Sequence, residues 1–492
     1  MEKRTAWFLV GIVLITFILR LTVAFSIGGL TYQSYFHIRQ VDTIVESGHP
    51  MWYDPFSYGG REIRFLPLYH YMVALPAFFI DTVDAAKLVT NFIYALIPLF
   101  VFFIAHAITQ DDESSLVAGV VSALLPVLFT PNTVGPESLY FVLVLVCIYM
   151  FMLCEKPNYL YYYGLFFFLL MFTSSLAILL VLGFIVYLAL TAIEGKKVKR
   201  EQTDLIIFSF FFYIWLALVL FKDHFLLRGI SFVFQNVPSE SIANYFPSLS
   251  IASAILLIGI IPFLAGTYVV YKSLFELKQR RLMLLISLAI STTILAWLRF
   301  IPFTISLSFF GLTLSILFAV FYRDVVLFVK KTKIASRETG FKYVLIGIVV
   351  ISTLPLSISA ATNQDVPSQE EITAFHWLSQ NTDKGATILA LVEEGHLVSY
   401  VGERKNVMDE NYVLADDVDL RFNDMQKIFN TRFQSIALEL LEKYNVSYIV
   451  ITPRATKYYE QHDLAYRTPE CFEKVYKVET RIYKVTCLLR SR

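Results

Sequence analysis

About eleven stretches long and apolar enough to cross a lipid bilayer, followed by a polar segment that closes the chain, leave this sequence few architectures to choose from. The hydrocarbon core of a bilayer takes about 20 apolar residues in a helix, and only helices and closed barrels satisfy their backbone there. The stretches fall around 6–28, 86–107, 115–130, 139–154, 159–174, 175–193, 204–222, 249–272, 282–298, 300–322 and 341–361. From Asn363 to Arg492 the chain is polar and mixed, and nothing there has spanning length. The expected fold is an α-helical polytopic membrane protein of about 11–13 spans with a small C-terminal extracytoplasmic α/β domain. The expected division is a transmembrane domain over 1–362, with a long first outer loop at 29–85, and a soluble domain over 363–492.

Composition agrees with that class. Of the 492 residues 57% are hydrophobic and 16% charged, where a soluble domain carries about 25% charged residues. The 44 Phe and 29 Tyr suit lipid-facing helices and interfacial belts. A net charge of +1 offers no electrostatic footprint for a nucleic acid, so no nucleic-acid partner is expected. The first apolar stretch is too long for a signal-peptide core and lacks a small-residue cleavage site, which predicts a retained signal anchor. Inverted-repeat transporters carry internal symmetry and charges at mid-membrane depth. Neither is visible beyond Arg20, which argues against a secondary transporter.

Basic loops set the orientation. Lys3 and Arg4 precede the first stretch; Lys196, Lys197, Lys199 and Arg200 form a second cluster. Lys272, Lys278, Arg280 and Arg281 form a third, and Arg323, Lys330, Lys331, Lys333, Arg337 and Lys342 a fourth. The positive-inside rule makes all four cytoplasmic, with the N-terminus cytoplasmic and the C-terminal domain extracytoplasmic, in a protein expected at the cell membrane. The parity holds only if the fourteen-residue piece Pro67–Ile80 does not span, so it reads as interfacial or re-entrant. A rival topology spans 67–80 and fuses 159–174 with 175–193.

In the tail, Ser368 followed by Glu371 is a capping-box pattern that opens a helix through Trp377 and Leu378. Ala386–Val392 and Val446–Thr452 read as buried strands, Ser435–Tyr444 as a helix between them, and Phe472–Val478 with Ile482–Leu488 as a terminal hairpin. Cys471 and Cys487 flank that hairpin and are either a disulfide or two free thiols.

Acidic side chains near a membrane surface hold divalent ions, which in turn hold pyrophosphate. The first outer loop contains Gln33-Ser-Tyr-Phe-His-Ile-Arg39 and, further on, WYDPFSYGGR from Trp52 to Arg61. The second outer loop, 131–138, carries Glu137; the third, 223–248, carries Glu240 at its tip. These motifs resemble the catalytic subunit of oligosaccharyltransferase, of the archaeal single-subunit type or a divergent paralogue. Gln33–Arg39 is similar to that family's Asp-x-Tyr-Tyr-His-x-Arg, and WYDPFSYGGR to its Trp-Asp-Pro-x-Ser-Tyr-x-x-Gly-Arg. Val237-Pro-Ser-Glu240 resembles its outer-loop Ser/Thr-Val-x-Glu, Arg299-Phe300 its late-span Arg-Phe. WLSQNTDKGATIL and GERKNVMDENY resemble stretches beside its Trp-Trp-Asp-Tyr-Gly motif.

The resemblance implies a GT-C fold and transfer of a sugar or oligosaccharide from a polyprenyl (pyro)phosphate to a protein or other glycan acceptor, at the outer face of the bilayer. It implies a divalent metal, Mg²⁺ or Mn²⁺. It implies Glu240, Glu137 and Asp54 as catalytic acids, with Glu137 and Asp54 as metal ligands. Gln33, His37, Arg39 and Arg299 would bind the donor, and Glu393, Glu394 and His396 would read the acceptor. Each has a plainer reading as well. Glu240 is also a solvated loop carboxylate, Glu137 a favourable anion at a helix start, Asp54 a turn former before Pro55, and Arg299 a snorkelling cation. His37 and Arg39 equally suit head-group packing, and Glu393–His396 a surface turn.

The sequence departs from the family at three places. Gln33 stands where the family has a metal-binding Asp, and an amide is a weaker ligand than a carboxylate. Ser138 and Tyr140 stand near its second-loop acidic pair, leaving Glu137 slightly displaced. Leu391-Val-Glu-Glu-Gly395 replaces Trp-Trp-Asp-Tyr-Gly. These changes point either to a transferase with another acceptor or another lipid-phosphate donor, or to a non-catalytic paralogue that binds lipid-linked glycan.

Overall fold

The computed structural model describes residues 2–228, 236–239, 242, 250–333 and 335–487. Eight of its helices are long and apolar enough to cross a membrane. The first is α1 (Lys3–Ile27). After the first outer loop, α4 (Thr82–Ala95) and α5 (Ile97–Thr109) run on as one. Then come α6 (Asp112–Ala123), α7 (Glu137–Met152), α8 (Pro157–Met171), α9 (Ile178–Ile193) and α10 (Arg200–Arg228). The bundle closes with α11 (Ile251–Ile258), α12 (Ile260–Lys272), α13 (Arg280–Trp297), α14 (Phe303–Lys330) and α15 (Glu338–Thr362).

Three consecutive members fall short of an unaided span, as does the eight-residue α11. Helices α6, α7 and α8 have 12, 16 and 15 residues, or roughly 18–24 Å at 1.5 Å per residue, against a core of about 30 Å. Helix α7 tolerates this because it is central: Leu139 to Ile148 is buried without a break, so apolar residues surround it on every side. Its short length leaves a recess at its N-terminal end.

The four basic clusters share one face of the bundle. There Thr5 donates to Asp112 at 2.8 Å, Lys278 pairs with Glu194 at 2.8 Å, Lys272 with Asp324 at 3.0 Å, and Lys342 with Glu113 at 2.7 Å. The opposite face carries the outer loops, where Gln364 donates to Thr133 at 2.8 Å and Asn132 to Ala24 O at 3.0 Å. This arrangement requires 67–80 to stay out of the count. Helix α3 (Leu68–Ala77) has only ten residues and packs beside α4 and α2 (Ser34–Ser47). The fused alternative does not occur, because the chain turns at Phe172–Ser174 between α8 and α9.

Arg20, an intramembrane cation, is buried and structural. It donates to Asn91 Oδ1 (3.1 Å) and Leu128 O (2.9 Å) and stacks on Tyr94 and Phe129.

The C-terminal domain opens on the expected capping box. Ser368 Oγ accepts from Glu371 N, and Glu371 returns the bond to Ser368 N, starting α16 (Gln369–Asn381). Its sheet has five strands in the order β4–β3–β5–β7–β6: β3 (Thr387–Leu389), β4 (Lys405–Asn406), β5 (Val446–Ile451), β6 (Phe472–Lys477) and β7 (Arg481–Val485). The β3–β4 and β3–β5 pairs are parallel; β7 joins β5 and β6 antiparallel. Helices α17 (Gly395–Tyr400), α18 (Val418–Asn430), α19 (Gln434–Lys443) and α20 (Pro453–Tyr459) complete the domain. Cys471 and Cys487 form a disulfide that closes the terminal hairpin.

Candidate functional site

Where the bundle meets the C-terminal domain lies a cavity of about 800 Å³. Five chain segments line it, α4 among them through Tyr94. The start of α2 supplies Gln33 and His37; the second outer loop and α7 supply Thr130, Thr133 and Glu137. The start of α14 supplies Pro302, Thr304 and Ser308, and the C-terminal domain supplies Glu393, Glu410 and Arg454. Val127, Leu128, Phe141 and Ile305 form its apolar wall.

The side chains are held in different ways. Glu137 is the first residue of α7, where the helix N-terminus favours an anion, and it accepts its own backbone N–H. Neighbouring Gly135 has no side chain, and a Cβ there would overlap the Glu137 carboxylate and lie 3.5 Å from His37 Nε2. His37 Nδ1 lies 2.9 Å from Nε2 of His70, a buried residue of α3. Burial, with His396 nearby, pushes the His37 pKa down, so its imidazole is neutral at physiological pH. Gln33 hydrogen-bonds Glu410, whose carboxyl is pushed up to about 7 by burial and by Glu393. Arg454 stacks over Tyr32 at 4.7 Å and pairs with Asp365.

The other expected site residues lie elsewhere. Asp54 is 3% exposed and does not line the cavity. It is ion-paired with Arg39 at 2.8 Å and accepts from Phe56 N (2.8 Å) and Ser57 N (3.1 Å). Asp54, at the end of β1 (Tyr53–Asp54) and ahead of β2 (Arg61–Glu62), and Arg39 on α2 thus satisfy one another. Arg39 is two residues from His37 on α2, a spacing that puts it on another face of the helix. Glu394 is fully buried: it accepts from Leu391 N and from Thr452 Oγ1 inside the domain. Burial pushes its carboxyl up to about 8. His396 packs at 5.4 Å from the Phe36 ring and lies 4.0 Å from Asp409. Of the three expected acceptor readers, only Glu393 faces the cavity. Arg299 follows the Leu298 C-cap of α13 with φ 61° and is exposed, three residues before the cavity-lining Pro302. Glu240 lies outside the described residues. The preceding stretch rests on the C-terminal domain: Asn236 donates to Tyr412 O at 2.9 Å and Ser239 N to Asp419 at 2.7 Å.

The expected divalent-metal site does not fit these side chains. Among the described residues no three His, Cys, Asp or Glu side chains are grouped so as to hold an ion. Gln33 is bonded to Glu410, and the Asp54 carboxylate is engaged by Arg39 and the backbone.

Two motifs lock together beside the cavity. Asp409, wholly buried, accepts from Ser57 (2.6 Å), Arg61 (3.3 Å), Asn406 (3.0 Å) and Asn411 N (3.0 Å). Tyr58 N donates to Asn406 Oδ1 at 2.9 Å, and Asn406 N to Phe56 O at 2.8 Å. WYDPFSYGGR and GERKNVMDENY therefore dock the domain onto the first outer loop. Sequence reasoning missed Glu410 and Arg454. Glu410 lies within the second of these motifs, but no local pattern distinguishes it from Asp409. Arg454 follows Thr452 and Pro453, a helix-start signal that says nothing of a cavity.

No family model and no curated protein sequence matches this chain. Solved structures do. Archaeoglobus fulgidus oligosaccharyltransferase AglB, in complex with an inhibitory peptide and a dolichol-phosphate, superposes with a TM-score of 0.70 at 14% identity, over 91% of this chain and 70% of that one. The same enzyme in complex with zinc and sulfate gives 0.68 at 14%, over 94% and 71%. ArnT from Cupriavidus metallidurans bound to undecaprenyl phosphate gives 0.57 at 10%, over 97% and 98%. At these identities the likeness is one of fold: the chain has the architecture of these oligosaccharyltransferase and ArnT structures, and its long apolar helices are those of an integral membrane protein.

Proposed function

We propose that this protein transfers a sugar or oligosaccharide from a polyprenyl (pyro)phosphate to an acceptor that enters between the bundle and the C-terminal domain. The observation that carries this reading is the convergence of Glu137, His37, Glu410 and Arg454, from three separate segments, on one cavity with an apolar wall. That the fold neighbours were solved with dolichol-phosphate, undecaprenyl phosphate and peptide supports a lipid-linked donor.

In the reaction a nucleophilic acceptor atom attacks the anomeric carbon, the bond to the phosphate oxygen breaks, and the acceptor proton passes to a base. Glu410 is suited to that proton, since its carboxyl is poised near neutrality. Glu137 and the Nε2 side of His37 flank the space left by Gly135 and orient the incoming group. Arg454 and the exposed Arg299 offer guanidinium groups to the leaving phosphate. Glu240 remains a proposed participant on its motif.

The test is turnover of a polyprenyl-linked sugar by the purified protein in lipid. Loss of product in Glu137→Gln and Glu410→Gln supports the reading; unchanged turnover overturns it. The likeness in fold to ArnT bound to undecaprenyl phosphate favours a second reading, in which the donor is a lipid monophosphate sugar. A monophosphate leaves with less charge than a pyrophosphate and needs less neutralisation. Supplying both donors separates the two. Retention of donor without turnover on either identifies a non-catalytic glycan-binding paralogue.

A further inference from the structure

A second recess, of about 180 Å³, lies on the opposite face of the bundle, among the basic clusters. Its walls come from four places. The loop after α7 gives Glu155, α9 gives Tyr187, the start of α10 with the preceding linker gives Gln202 and Lys199, and the start of α13 gives Arg280 and Arg281. Met152 and Leu284 form its apolar side.

The charges do not balance. Three cations face one carboxylate. Lys199 pairs with Glu155, and Arg281 donates through one nitrogen to Ala107 O. Arg280 is exposed, lies near enough to Glu155 to act on it electrostatically, and makes no hydrogen bond to a described residue. Tyr187 and Gln202, joined at 3.4 Å, place polar groups beside it. The recess thus presents an unfilled guanidinium fork, a second guanidinium, an ammonium and a hydroxyl around a volume that suits one tetrahedral oxyanion, with apolar side chains adjoining. Guanidinium pairs with phosphate oxygens in bidentate fashion, and basic pockets between membrane helices take lipid head groups.

We propose that this recess is a phosphate-binding site, filled either by the head group of an anionic phospholipid on the basic face or by soluble phosphate. It is independent of the cavity on the outer face, and the glycosyltransferase reading can fail without affecting it.

The experiment uses the full-length protein in a neutral detergent. Native mass spectrometry reads retention of phosphatidylglycerol and phosphatidylcholine, and the thermal midpoint is followed with each lipid and with inorganic phosphate. Phosphatidylglycerol is expected to be retained over phosphatidylcholine. Removal of one cation should weaken it about fivefold, since one basic group near a membrane surface contributes about 1 kcal/mol. The test variants are Arg280→Gln and Lys199→Gln. Lys331→Gln, an exposed cation elsewhere on the same face, serves as the control and should change nothing. A midpoint raised equally by inorganic phosphate assigns the site to a soluble anion; a rise with phosphatidylglycerol alone assigns it to lipid. Equal retention of both lipids with no midpoint rise from inorganic phosphate, an unchanged response to phosphatidylglycerol and phosphate in the Arg280→Gln variant, or an equal loss in the Lys331→Gln control overturns the proposal.

Discussion

Two neighbouring regions join the first outer loop to the C-terminal domain, and they use polar side chains in opposite ways. In the lock, Ser57, Tyr58 and Arg61 meet Asn406, Asp409 and Asn411, and donors find acceptors across the seam. In the cavity, Gln33 and His37 from the same loop face Glu393, Glu410 and Arg454 from the same domain across open space. Among the described residues Glu393 accepts no hydrogen bond, and Glu137 accepts only its own backbone N–H. A buried carboxylate is tolerated when its lone pairs are filled, so the lock is closed and structural. The cavity acids keep lone pairs for an incoming group. Asp54 and Arg39 have functional chemistry, yet they belong to the closed region, because each already has the other as partner.

The contrast predicts different failures. Asp409→Ala leaves Arg61 beside a lost carboxylate in a buried seam and should cost about 3–5 kcal/mol. Thermal unfolding and protease susceptibility of the C-terminal domain would register it, and a wild-type midpoint would show that the seam does not hold the domain. Glu410→Gln should do the reverse, lowering turnover about 10²- to 10⁴-fold with little change in stability. In the wild type, activity should rise with pH through about 7, as Glu410 loses its proton and becomes able to accept one. The same profile in the variant would assign the ionisation to another group.

Glu394 gives a stability signature in place of an activity signature. Its folded pKa, about 8, stands above the ordinary 4.5, so the folded state binds the extra proton between those values. Its contribution therefore declines as pH rises from about 4.5 to about 8, and Glu394→Gln should flatten that decline. Chemical denaturation at pH 5 and pH 8 measures it; an equal decline in both proteins would count against a buried, proton-binding Glu394. The smallest effect is expected at Arg299. Arg299→Gln should leave stability within about 0.5 kcal/mol and raise KM for the donor about tenfold, as loss of one charge-assisted contact does. An unchanged KM would leave Arg299 as a snorkelling cation at the end of α13.

Some of this was legible in the residues themselves. The capping box at Ser368 and Glu371 needs only four consecutive residues, and it formed as read. Strand β5 begins where its β-branched run begins, at Val446. The reading of 67–80 as a segment that does not span follows from counting basic loops, and α3, with ten residues, is too short to cross a bilayer. Asp54 and Glu410 show where such reading stops. Each is an acid in a polar, turn-rich stretch, and nothing within a few residues reveals that Arg39 occupies one while the other faces an open cavity. By sequence Gln33 reads as a weakened metal ligand, and its hydrogen bond to Glu410 joins residues more than 370 positions apart.

The division has a physical cause. Hydrophobic length, loop charge and capping chemistry act over one or two helical turns, so the amino-acid order alone settled that this chain is a helical membrane bundle with an appended α/β domain, and which loops share a face. Whether a carboxylate is a structural acceptor or a reactive group depends on which distant donor reaches it and how much water remains around it. Those are properties of the packed seam between the outer loops and the C-terminal domain, and they came into being only when the chain folded.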